Sequence, residues 1–385
     1  MCYNRSISLG KGGFFALDQF EQLKKDRAYV DEKTHLSDKD IRKKKRNKII
    51  LTVLFVLVNI GAILITGIIE FTKDEVEYID FLGLNMTFLI AAVGCIAAAI
   101  FFETFKYCIM MKHTVGRVNI RHAFQTAVLG KYYDNITPSG AGGQPFQIYF
   151  LRKNGYAPGV AGAMPVLGFL SMQLGFCLLF FLLVITNAAA VESAVLHVSA
   201  YIGILFYLLV PMGIILFNFF PVTVTNVLAW GVRLLGKMKI FKRPEQTQEK
   251  MVKSLEEYRL ALAEMAKVKG LIFKVMVVGV LYQIALCSTP FFVLRAFGAP
   301  ASYFNMLTLT VYIYAAIAYI PTPGNAGAAE GTFYSIFSGL KHAFWGMTIW
   351  RFLTYYLFLL LGVGVYGYNA LEPKLRKRKE KNESN

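Results

Sequence analysis

Long apolar runs separated by short charged loops set the pattern of this 385-residue chain. Six runs fall near 49–69, 86–111, 158–186, 201–219, 271–297 and 344–368. A bilayer takes about 20 apolar residues to cross, so each run predicts a membrane-spanning helix. The loops alternate in charge. Residues 70–84 carry Glu70, Asp74, Glu75, Glu77 and Asp80 against Lys73, whereas 112–122 carry Lys112, Arg117 and Arg121. The 187–200 loop has no Lys or Arg, and 220–270 is rich in both. Lys and Arg collect on the inner side of membrane proteins. Basic clusters at 42–48, before the first run, and at 374–379, after the last, therefore place both termini in the cytoplasm.

Two moderately apolar stretches remain, about 123–150 and 303–341, and each is interrupted by a polar, glycine-rich break. The first lies between inside charges (Arg121, then Arg152 and Lys153), so it enters and leaves from the cytoplasmic side. The second lies between two outside ends. Thr-Pro-x-x-Ala-Gly stands at 137–142 and recurs at 322–327, 185 residues on. Runs centred near 98 and 284 are 186 apart, and those near 172 and 356 are 184 apart. Three agreeing offsets predict two homologous halves, each with three spans and one hairpin. An odd span count inverts one half against the other. The expected fold is an all-α polytopic membrane protein: six spanning helices plus two oppositely oriented re-entrant hairpins in an inverted repeat, an architecture in which broken helices meet near the midplane.

The breaks supply the candidate chemistry. They contain Asn135, Thr137, Pro138, Gly140, Gly142, Gly143, Gln144 and Pro145, then Pro321, Thr322, Pro323, Gly324, Asn325, Gly327, Glu330 and Gly331. Glycine admits strained angles and close backbone approach, and proline stops helices and frees carbonyls. Half-helices starting after Thr-Pro aim positive N-termini inward, which suits an anionic group such as a lipid phosphate. Packing glycines, common between membrane helices, are the plainer account. Glu330, and Arg351 in the last run, are charges in apolar surroundings that cost about 2.5–3.5 kcal/mol each at a bilayer centre; each is a functional candidate and the other's expected partner. Glu103 and Lys106 can pair three residues apart on one helix face, or sit where Lys snorkels to the interface.

Composition narrows the alternatives. Hydrophobic residues make up 56% of the chain, against about 45–50% in soluble proteins. The net charge of +17 flanks apolar runs, which reads as topology signal and not as a nucleic-acid surface. Cys2, Cys95, Cys108, Cys177 and Cys287 show no CxxC spacing, and the five histidines are scattered. No catalytic grouping, metal set or cofactor motif emerges. The domain plan is a polar cytoplasmic segment 1–48, a membrane domain 49–370 (halves 49–186 and 201–368) and a basic tail 371–385. Within it, Met251, Leu255, Tyr258, Leu262 and Met265 form one face of an amphipathic helix in the 220–270 connection.

The motifs Asn135–Leu151, Ile320–Gly331 and Trp350–Tyr356 together resemble the flippase-like membrane domain of bacterial lysylphosphatidylglycerol synthase, the multiple peptide resistance factor family. The likeness extends over about residues 45–370, with Ala328 standing where a second glycine is expected. The resemblance implies a multi-pass protein of the bacterial cytoplasmic membrane that handles phospholipids. It would flip phosphatidylglycerol-derived or aminoacylated lipids between leaflets and so contribute to resistance to cationic antimicrobial peptides. The break residues, Arg152 and Arg351 are then the expected lipid contacts. The alternative is a membrane component of a phosphatidylglycerol lysyltransferase, which moves lysine from lysyl-tRNA, with a separate cytoplasmic transferase as partner. The expected partners are membrane phospholipids, with no nucleic acid bound directly; a homo-oligomer is compatible with everything above.

Overall fold

The computed structural model describes residues 83–220 and 270–369, apart from 139, 141 and 341, with scattered positions between 223 and 268. The first predicted span (49–69), segment 1–48, most of the 220–270 connection and the tail 371–385 lie outside the described residues. Among those described, every regular element is helical.

Helix α1 (Met86–Val115) begins where the Asn85 side chain accepts from the Thr87 N–H at 3.1 Å, and it ends at Gly116 with φ 74°. Side-chain caps of this kind satisfy amide groups that the first helical turn leaves open. Asn119 caps α2 (Ile120–Ile136) in the same way, accepting from His122 N–H at 3.0 Å. After the first break, α3 (Gly143–Lys153) packs back against α2. A proline at its first turn starts α4 (Pro158–Asn187). A 3₁₀ turn, Ala188–Ala190, leads to α5 (Ala194–Phe219), capped by Ser193. This cap starts the helix seven residues ahead of the expected 201, so most of the predicted 187–200 loop is helix.

The second half of the described chain contains α6 (Leu271–Ala296), α7 (Tyr303–Ile317), α8 (Ala328–Phe337) and α9 (Ala343–Arg351). Helix α9 runs through a π-helical turn, Phe352–Tyr356, and continues to Asn369. Five of these helices are long and apolar enough to cross a membrane: those at 86–115, 158–190, 194–213, 271–296 and 343–369. Their outward faces are greasy. Ile90, Phe101, Leu178, Ile185 and Phe273 are all exposed, as suits helices whose solvent is lipid and whose backbone groups are bonded internally.

Packing follows small residues. Helices α4 and α6 cross where a Cβ on Gly279 would stand 2.6 Å from the Ser171 carbonyl oxygen, and one on Gly175 3.1 Å from Val280 N. Only glycine permits that approach. One apolar cluster joins α4, α5, α7, α8 and α9 through Phe176, Ile204, Tyr312, Phe333 and Trp350. A second joins α1, α2 and α4 through Tyr107, Met110, Ala127 and Met164. Of the apolar face expected at 251–265, only Met265 is described, and it is buried in this second cluster.

Candidate functional site at the two breaks

The first break is tied by its own side chains. Helix α2 ends at Ile136, and Pro138, which lacks an N–H, cannot extend it. The Thr137 hydroxyl donates to the Tyr133 carbonyl at 2.7 Å and accepts from the Gly142 N–H at 2.8 Å. The Asp134 carboxylate accepts from the Gly143 N–H at 2.9 Å. So the first amides of α3 are held by the last turn of α2. A Cβ on Gly142 would stand 2.6 Å from the Thr137 methyl, and one on Gly143 would collide with the Asp134 carboxylate.

The second break uses an ion pair instead. Arg351 Nε donates to Glu330 Oε1 at 2.6 Å, with both side chains buried. Glu330 Oε2 accepts from the Gly327 N–H at 2.7 Å, closing the first turn of α8 as an N3 capping residue does. Arg351 Nη2 donates to the Gly324 carbonyl at 3.2 Å, and the guanidinium carbon lies 4.5 Å from the centre of the Tyr355 ring. The Thr322 hydroxyl donates to the Ala326 carbonyl at 3.0 Å. Gly324 has φ 59° and lies so close to the Tyr355 ring that a Cβ would enter it. Asn325, at φ 55°, is one of the residue types that tolerate the left-handed region.

The two breaks meet. Pro138 and Pro323, equivalent positions of the Thr-Pro repeat, pair across an isolated antiparallel bridge. Beside it the Tyr355 hydroxyl donates to the Asn135 carbonyl at 3.3 Å, and the Asn135 amide donates to the Tyr355 carbonyl at 3.4 Å. Both residues are buried. Tyr355 sits in the π-helical turn, a backbone irregularity that recurs at functional positions.

A family model for the transmembrane region of lysylphosphatidylglycerol synthase matches residues 49–362. The chain belongs to that family. No curated protein matches the chain. The matched region of this lysylphosphatidylglycerol synthase transmembrane family takes in both breaks and Arg351. With the spanning helices it makes the chain a multi-pass integral membrane protein.

The predicted residues divide by place. Asn135, Pro138, Pro323, Gly324, Glu330 and Arg351 gather at or beside the seam between the breaks. Thr137, Gly140, Gly142 and Gly143 build the first tip, with Gly140 at φ 64° beside Asp134. Gln144 turns to a polar cavity, and Arg152 is exposed in the last turn of α3. Pro145, Pro321 and Gly331 are exposed, and a Cβ on Gly331 or Gly327 would meet no neighbour.

That cavity was not foreseen. It is lined by Glu103, Lys131, Asp134, Gln144, Gln147, Tyr107 and Tyr282 among apolar residues of α1, α2, α4 and the last helix. Glu103 and Lys106 pair at 2.7 Å beside it, and Lys106 also donates to the Gly168 carbonyl at 3.2 Å. Lys106 is 1% exposed, which answers the choice between buried pair and snorkelling lysine in favour of the pair. The available signal was the polar content of α2, where Lys131 and Asp134 stand three apart in a stretch otherwise fit for burial.

Proposed function

We propose that this protein moves phospholipids between the leaflets of a bacterial cytoplasmic membrane, and that headgroups cross at the seam between the breaks. The observation that carries the reading is the Pro138–Pro323 bridge. Two non-helical tips from sequence-related segments meet inside a helical membrane protein. Irregular backbone is tolerated at that depth only where protein or a water-filled cavity covers it. In this reading the chain has six spans, the breaks are re-entrant hairpins entering from opposite faces, the halves form an inverted repeat, and both termini are cytoplasmic. The lipids are phosphatidylglycerol-derived or aminoacylated, and their export lowers surface negative charge and the binding of cationic peptides. Arg351 is the group suited to a phosphate, through guanidinium N–H groups beyond those that bond Glu330 and Gly324.

The family description favours a second reading, a membrane component of a phosphatidylglycerol lysyltransferase served by a separate transferase. Reconstitution into vesicles containing fluorescent phospholipids of different headgroups tests the first reading directly. Leaflet exchange faster than in protein-free vesicles, with preference for phosphatidylglycerol derivatives, is expected. No exchange for any headgroup overturns it. Opposite entry of the hairpins is tested with cysteines at Asn154 and Ser338, the exposed far ends of α3 and α8. They should label from opposite sides of the membrane, and labelling from one side refutes the inverted arrangement.

A further inference from the structure

We infer that the polar cavity beneath the first break is a proton-binding site, with Asp134 as the group that takes up the proton and thereby loosens the hold of α2 on α3. The inference rests on the reading of the breaks as a lipid path only for its consequence, not for the site itself.

Geometry points to it. The Asp134 carboxylate faces the cavity and accepts from the Gly143 N–H at 2.9 Å. Asp134 forms no ion pair among the described residues, and Lys131, on the same helix and lining the same cavity, forms neither an ion pair nor a hydrogen bond among them. The cavity holds about 30 Å³ of water-accessible space, enough for a water or two and nothing larger. A headgroup does not fit, while a water and a proton do. Surrounding protein encloses Asp134, yet the cavity keeps it partly accessible. A carboxylate with water access and no paired cation is the arrangement from which proton relays in membranes are built.

The charged and titratable neighbours set the poise. Helix α1 contributes Glu103, Lys106 and Tyr107, α2 contributes Lys131, and α6 contributes Tyr282; α3, α4 and the last helix bring no titratable group to the cavity. Burial pushes the Asp134 carboxyl up to about 7; Lys131, the Gly143 N–H and Lys106 pull it down, and Glu103 pushes it up. Asp134 lies outside the five spanning helices. Ionised, the carboxylate is a charge-assisted acceptor for the first amide of α3, and protonated it is a weaker one. Above about pH 7 the latch therefore holds, and below it the latch loosens.

Infrared titration of the purified full-length protein reads the site directly. A protonated-carboxyl band is expected to disappear with a midpoint near pH 7 and to be missing in Asp134→Asn, which keeps an acceptor oxygen but cannot titrate. Lys131→Met removes a neighbouring cation and should move the midpoint up by about one pH unit. In vesicles, leaflet exchange should rise several-fold as pH falls through that midpoint, and Asp134→Asn should give a flat profile. A band that persists in Asp134→Asn, an unmoved midpoint in Lys131→Met, or an unchanged pH profile in Asp134→Asn overturns the inference. If the band behaves as expected but wild-type protein exchanges no lipid at any pH, the proton site stands and the lipid-moving role falls.

Discussion

Tyr355 and Asn135 exchange hydrogen bonds across the seam between the two breaks, at 3.3 and 3.4 Å. Tyr355 also packs beneath the Arg351 guanidinium and against Gly324. One side chain thus touches the ion pair of the second break and the last turn of α2 leading into the first. Tyr355→Phe keeps the ring and removes the hydroxyl, leaving the buried Asn135 carbonyl without that donor. An orphaned buried acceptor costs about 1–3 kcal/mol. A lower melting temperature in detergent is expected, together with faster labelling of a cysteine placed at Pro138. Unchanged labelling would mean that the tyrosine only fills space.

The seam can also be closed on purpose. Residues paired across an antiparallel bridge have Cα atoms about 4.5–5.5 Å apart, within the range a disulfide spans. Pro138→Cys with Pro323→Cys, in a background lacking the native cysteines, should cross-link under mild oxidation. The cross-linked protein should lose leaflet exchange and regain it on reduction. Full exchange in the cross-linked form would place the lipid path elsewhere.

The glycines of the breaks separate by what surrounds them. Gly142 faces Thr137, and Gly324 combines positive φ with contact to Tyr355, whereas Gly327 has positive φ but open space. Gly142→Ala and Gly324→Ala should each destabilise the protein more than Gly327→Ala, which bears only the backbone strain of about 1–3 kcal/mol. Melting temperatures of the three variants decide it. Equal losses would mean that strain, not contact, governs all three sites.

Much of the scaffold was readable because lipid imposes a simple rule: long apolar runs become helices. The ion pair was readable for a related reason, since Glu330 and Arg351 each stood alone in apolar sequence and each needed a partner. The repeat of Thr-Pro marked equivalent positions, but nothing in it said that Pro138 would touch Pro323; that contact depends on how the two halves pack. The cavity stayed hidden because Lys131 and Asp134 sit in a stretch read only as moderately apolar, where the break residues drew the chemistry. Their importance depends on Glu103 and Lys106, brought from another helix. The start of α5 was missed because Ser193 caps a helix inside a stretch read as a loop between two apolar runs, where the lack of Lys and Arg spoke only to the side it faces.

The Glu330–Arg351 pair yields the most demanding test. Glu330 holds the first turn of α8 through the Gly327 N–H, and Arg351 holds the tip through the Gly324 carbonyl, so each partner does structural work besides pairing. Removing either charge leaves the other buried and uncompensated, which typically costs about 3–5 kcal/mol. Removing both should cost less than the sum of the single losses, because no unpaired charge remains. Glu330→Gln, Arg351→Gln and the double variant, compared by melting temperature and expression level, form the cycle. Arg351→Lys should be a poor replacement, since one ammonium cannot reproduce the divergent bonds from Nε to the carboxylate and from Nη2 to the carbonyl while packing over Tyr355. Glu330→Asp is the complementary probe: one methylene shorter, it cannot reach both Arg351 and the Gly327 N–H without shifting α8. Strict additivity of the two Gln substitutions would show that the charges act independently, and that Arg351 serves the second break through Gly324 alone.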